Sequence, residues 1–118
     1  MTAPPTPEIR AAVAAFNAGH WADAFLRFQN EWLRLRTDEI KALAQYANAV
    51  NQLHLGLVDA PRTALTRVLV LTQGVSVHQG VDLGALRRDC RVLLELLSGD
   101  GDAPALRSIP PLSLEELP

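Results

Sequence analysis

Residues 19–32, Gly19-His20-Trp21-Ala22-Asp23-Ala24-Phe25-Leu26-Arg27-Phe28-Gln29-Asn30-Glu31-Trp32, decide the fold of this chain. Within them and just beyond, Trp21, Ala24, Phe25, Phe28, Trp32 and Leu35 recur at steps of three and four, the spacing that gathers side chains on one face of a helix. The stretch begins on a glycine and lacks a strong capping side chain. It therefore reads as the second arm of a tight helical hairpin turning at Gly19.

Working outward, Thr6-Pro7-Glu8 reads as an N-cap followed by proline at the first helical position. The helix it opens carries Ile9, Val13 and Phe16 as its apolar stripe. Beyond the aromatic helix, Thr37-Asp38-Glu39 supplies a cap and an acidic first turn for a third helix stopping at Gly56. Asp59 and Pro61 open a fourth, with Ala64, Leu65, Val68 and Leu69 inward. Asp82 caps a fifth, with Leu83, Leu86, Cys90, Leu93, Leu94 and Leu97 on one face. No strand pair with hairpin chemistry is read, and Gly74 to Val81 is taken as a loop. The expected class is all-α: a compact single-domain bundle of about five helices, near residues 7–18, 21–36, 38–55, 60–73 and 82–97. Residues 1–98 form the bundle domain and 99–118 a proline-rich acidic tail, extended or docked.

The chain has 118 residues, enough for one hydrophobic core without metals or disulfides. Its single cysteine, Cys90, has no internal partner. No apolar run approaches the roughly 20 residues that span a bilayer, and the first residues lack the basic and apolar regions of a signal peptide. A cytoplasmic protein without membrane association is expected. The net charge of −2 is uneven: the tail holds Asp100, Asp102, Glu115 and Glu116 against Arg107, leaving a near-neutral body. A near-neutral body without a basic stripe argues against nucleic acid as a partner.

Over residues 19–56 the chain resembles the family of small helical proteins called domain of unknown function 309. That family reads Gly-x-aromatic, then His-Glu-x-x-Glu on its second helix with a tryptophan three residues on. Its third helix carries Gln, then His seven residues later and Gly after four more. Gly19, Trp21, Ala24, Trp32, Gln45 and Gly56 stand in matching places, and the resemblance covers roughly residues 10–97. The chain departs from the family where the titratable groups would be. Phe25 and Leu26 replace His-Glu, Gln29 replaces the later Glu, and Gln52 replaces the third-helix His. Phenylalanine and leucine neither ligate nor titrate, and glutamine hydrogen-bonds without acting as a base. A divergent member of this kind is not expected to use the family's cluster. Buried ionic clusters exchange for apolar packing at no net cost, or with a gain of about 1–4 kcal/mol. The replacement is thus read either as repacking or as a repurposed pocket. Gly19, Trp21, Ala24 and Phe28 are also similar to one helical hairpin of a tetratricopeptide repeat, but the pattern does not recur at a spacing of about 34 residues.

Gln45, Asn48 and Gln52 form a polar stripe on the third helix. With Phe25, Leu26, Gln29 and Trp32 they define a candidate pocket for a neutral polar ligand between helices 2 and 3. The alternative is mutual hydrogen bonding among these amides. His20, His54 and His78 lack metal-site spacing, and no cysteine pair accompanies them. Cys90 reads as a buried thiol. Ser76, Ser98, Ser108 and Ser113 have no nucleophile context, and no phosphate-loop pattern occurs. No catalytic residue, metal or cofactor is expected.

Arg87, Arg88 and Arg91 on the last helix, with Leu112, Leu114 and Leu117 in the tail, are candidate interaction residues. Two functions follow: a non-catalytic protein-interaction or scaffold module, with a protein partner or a second copy, or a small-ligand binder (remotely, an enzyme) using the amide pocket.

Overall fold

The computed structural model describes residues 4–98 and 109–114. The described chain forms helices α1 (Pro7–Asn17), α2 (Trp21–Leu35), α3 (Asp38–His54), α4 (Asp59–Leu71) and α5 (Leu83–Leu97). Between the last two lies a ribbon of two short strands, β1 (Val77–His78) and β2 (Val81–Asp82). The expected all-α bundle is the fold. Asp100, Asp102, Arg107, Ser108, Glu115, Glu116 and Leu117, which the sequence reading singled out, lie outside the described residues.

Local chemistry sets the helix ends. Thr6 caps α1 by accepting from the Ile9 amide at 3.2 Å, Thr37 caps α3 from Ile40 at 3.3 Å, and Asp82 caps α5 from Ala85 at 2.9 Å. At the end of α1, Gly19 has φ +82°, and the amides of Gly19 and His20 donate to Phe16 and Ala15. The end of α3 repeats this closure: Gly56 has φ +87°, with Gly56 and Leu57 donating to Leu53 and Gln52. Both are glycine-terminated closures that satisfy the last carbonyls of the helix and turn the chain back.

Each helix packs on the next in sequence. Trp21 meets His54 edge-on at 5.2 Å at one end of the α2–α3 pair, and Lys41 lies 5.4 Å from the Trp32 ring at the other, so the two run antiparallel. Helix α3 is central, with Ile40, Ala42, Leu43, Ala44, Tyr46, Ala47, Ala49, Val50 and Leu53 buried around most of its circumference. The last pair, α4 and α5, packs less closely and is laced by two arginines. Arg62 near the start of α4 donates to the Leu97 carbonyl at the end of α5, at 2.7 Å. Arg87 near the start of α5 donates to the carbonyls of Thr72, at 2.6 Å, and Val75 beyond the end of α4. Each guanidinium thus meets carbonyls at the end of the other helix, where orphan acceptors collect.

The ribbon corrects the reading of Gly74 to Val81 as a plain loop. Val77 pairs with Asp82 and His78 with Val81, and the turn residues Gln79 and Gly80 both have positive φ, +48° and +77°. Two left-handed residues make the tight hairpin turn whose twist suits short antiparallel strands. Gln79 is a poor sequence signal for that turn. What holds it there is tertiary: its buried side-chain oxygen accepts from the Thr6 amide at 3.2 Å.

Candidate functional site

Residues 109–114 of the tail lie against the body. Asn17, the last residue of α1, faces the backbone of Leu112: its Nδ2 donates to the Leu112 carbonyl at 3.1 Å, and the Leu112 amide donates to its Oδ1 at 2.8 Å. One carboxamide therefore satisfies both backbone groups of an extended residue, as a neighbouring strand would. The real strand edge follows at once. The Asp82 amide donates to the Ser113 carbonyl at 3.0 Å, and Val81 and Leu114 form an antiparallel bridge. Leu112 is buried to 6 % exposure, and Ile109 and Leu114 pack half-buried against the core. Docking in cis, left open by the sequence, is what the chain does with residues 109–114.

The fit is incomplete upstream of Leu112. A cleft of about 320 Å³ remains between Phe16, Asn17, Gly19 and Trp21 on the body and Ile109, Pro110 and Pro111 on the tail. Pro110 and Pro111 favour the polyproline conformation, which presents the segment already extended.

A polar knot ties α1 and α2 to the ribbon whose second strand borders this groove. Glu31 on α2 is only 1 % exposed. It accepts a short hydrogen bond from the Thr6 hydroxyl and a second from Arg34 Nε at 2.6 Å. Thr6 in turn donates its amide to Gln79 at the ribbon turn. The start of α1, the middle of α2 and the ribbon are therefore joined through three side chains. The hydrogen bond from Arg34 is the strongest influence on Glu31 and holds its carboxyl below the ordinary range, helped by Thr6 against the opposing effect of burial. Sequence reading missed Glu31 because it sits beside Trp32, the more conspicuous residue. The signal was present: Ala24, Phe28 and Glu31 are the buried residues of α2, at steps of four and three.

The amide stripe is real, but its partner is α4. Gln45, Asn48 and Gln52 line a cleft of about 320 Å³ with Ala60, Thr63, Ala64 and Arg67. None of Phe25, Leu26, Gln29 and Trp32 lines it, which corrects the pocket expected between helices 2 and 3. Leu26 is 57 % exposed, and Phe25, Gln29 and Trp32 are half-buried. The Trp32 ring instead lies under the Arg36 guanidinium at 4.5 Å. Gln52 Oε1 is buried and finds no hydrogen-bond partner among the described residues.

The candidate interaction residues separate. Leu112 and Leu114 are used by the chain itself, and Arg87 is half-buried and committed to the end of α4. Arg88 and Arg91 are exposed. The hydrogen bonds and strand bridge of the docked segment run to Asn17, Val81 and Asp82 and, among the described residues, none runs to Arg87, Arg88 or Arg91. Cys90 is buried, and burial, reinforced by Asp89, pushes its thiol up to about 12, which leaves almost no thiolate at neutral pH. Among the described residues no group of His, Cys, Asp and Glu side chains is placed to hold a metal ion. Among them, too, no helix is long and apolar enough to cross a membrane.

Compared with family models, curated proteins and solved structures, the chain matches none.

Proposed function

We propose that the protein is a non-catalytic interaction module, working in the cytoplasm and distantly related to the domain of unknown function 309 family. One observation carries the reading. The end of α1 and the edge of β2 together hold an extended segment by its backbone, through Asn17 and the Asp82 amide. A surface that grips backbone and buries one leucine is suited to binding peptide segments. Exposed Arg88 and Arg91 offer a second, electrostatic contact.

A ligand-binding reading rests on a different observation, the buried and unpartnered Gln52 Oε1 beside the α3–α4 cleft. A small molecule carrying a hydrogen-bond donor would satisfy that oxygen.

Native mass spectrometry and crosslinking capture on the untagged full chain separate the two. The module reading expects a protein crosslinked to the groove or the arginine row, and no small-molecule adduct. An adduct lost on activation, without any protein partner, would move the assignment to the cleft.

A further inference from the structure

We infer that the cleft between α3 and α4 binds a small, elongated carboxylate that carries a neutral hydrogen-bond donor, such as an amide N–H, away from its charged end. This rests on the ligand-binding reading of that cleft and names the ligand class for it.

Three features of the lining argue for it. First, its amides are unused. Gln45, Asn48 and Gln52 lie in one row on α3, and all three are half-buried. No side-chain hydrogen bond among the described residues joins them to one another or to any other group, so the mutual bonding left open by the sequence is not what they do. The facing wall explains why. Helix α4 brings Ala60 and Ala64 to the cleft, and methyl groups neither fill the space nor hydrogen-bond. The Thr63 hydroxyl on the same wall donates to the Asp59 carbonyl within its own helix. Water serves amide atoms that are exposed. Gln52 Oε1 is shielded from water and has no partner, and an acceptor in that state gains most from the donor of a ligand.

Second, the cleft has one cation and no anion. Arg67 lines it and forms neither an ion pair nor a hydrogen bond among the described residues, whereas Arg62 on the same helix holds Asp59. No Asp or Glu lines the cleft. A single guanidinium matches a singly charged carboxylate in a bidentate pair. A phosphate dianion would bring more negative charge than the lining offsets, and an ammonium donor would meet no carboxylate.

Third, the cation and the orphan acceptor are held apart. Gln52 and Ala60 flank the short turn joining α3 to α4, so the helices run antiparallel and Arg67 lies level with Gln45, seven residues back along α3. Seven residues of helix rise about 10 Å. A ligand that meets both ends is therefore elongated, with its charge at Arg67 and its donor towards Gln52.

The test is an NMR titration of the full chain, read at the side-chain amides of Gln45, Asn48 and Gln52 and at Arg67 Nε–H. The probe is N-acetylglycylglycine, which has one carboxylate and two amide N–H groups. It should shift these resonances along saturable curves, with a Kd on the order of millimolar for a ligand of this size. Two analogues separate the contacts: N-acetylglycylglycinamide lacks the carboxylate, and N-acetylsarcosylsarcosine lacks both N–H groups. Each should bind about tenfold more weakly than the parent probe. In the protein, Arg67→Gln should weaken the parent probe about tenfold and leave the glycinamide unchanged. Gln52→Met, of similar length without the acceptor, should weaken the parent about tenfold and leave the sarcosine analogue unchanged.

Shifts that grow linearly without saturation, or equal binding of the parent and both analogues, overturn the inference. Inorganic phosphate binding more tightly than the parent at the same resonances overturns the carboxylate class. A different small molecule retained in the native mass spectrum, with no response to the probe, would overturn this inference alone. No retained molecule and no response to the probe would overturn the ligand-binding reading with it.

Discussion

Glu31 and Tyr46 show two ways of burying a polar atom. The Glu31 carboxylate is compensated by Thr6 and Arg34. Arg34 is 60 % exposed, so its half of the pairing is screened, and the inner bond to Thr6 matters more for stability. Glu31→Gln removes the charge and weakens both bonds. It should lower stability at pH 7 by about 1–3 kcal/mol, read from denaturant unfolding. Because the folded carboxyl is held below its unfolded value, the stabilisation is fully present above the unfolded pKa and is lost as pH falls through the folded one. The gap between wild type and Glu31→Gln should therefore close below the ordinary carboxylate range. A gap of constant size from pH 7 to pH 3 would refute the charge assignment.

Tyr46 is the opposite case. Its ring packs on Phe16 with centroids 5.4 Å apart, but its buried hydroxyl has no partner among the described residues. Burial pushes the hydroxyl above its ordinary range, with Cys90 and Asp89 adding to the shift. Tyr46→Phe keeps the packing and deletes the orphan, so the melting temperature should hold or rise, by ~1 kcal/mol in stability. A clear loss would mean that the hydroxyl has a partner in solution.

Among the elements, α2 shows how a helix face drifts. The sequence stripe from Trp21 to Leu35 placed Phe25 and Phe28 together in the core, but Phe28 is fully buried and Phe25 only half-buried. Phe28→Ala should cost about 3–5 kcal/mol and Phe25→Ala distinctly less, by equilibrium unfolding. Equal costs would contradict the packing described. The capped starts at Thr6, Thr37 and Asp82 and the glycine closures after α1 and α3 were legible because each depends on a few neighbouring residues. The ribbon was not, because its turn places Gln79, rather than a typical turn residue, at positive φ and is held from Thr6, far away in the chain.

At the scale of the whole molecule, the docked segment joins the two ends of the sequence: Asn17 and Leu112 are 95 positions apart. Such a contact is expected to open without unfolding the bundle, so that the cost of weakening it is capped by the docking energy. Leu112→Ala forfeits about 2 kcal/mol of burial at the groove. Amide exchange at Asp82 should accelerate by tenfold or more, while Val50 in the central helix keeps its protection. Matching acceleration at both sites would show that the tail belongs to the same cooperative unit as the bundle.

What the sequence by itself determined were the features written in short-range chemistry: five helices, their caps, most of the core stripes and a tail too apolar to stand idle. The pocket and the groove were decided only by tertiary structure. Gln45, Asn48 and Gln52 share a face of α3 by periodicity, but whether α2 or α4 covers that face depends on how the hairpins stack. Glu31 is tolerable in the core because Thr6, 25 positions away, meets it there. A helical period reports which side chains share a face, not what comes to lie against it. Those long-range partners are chosen when the apolar faces of the whole chain are buried together.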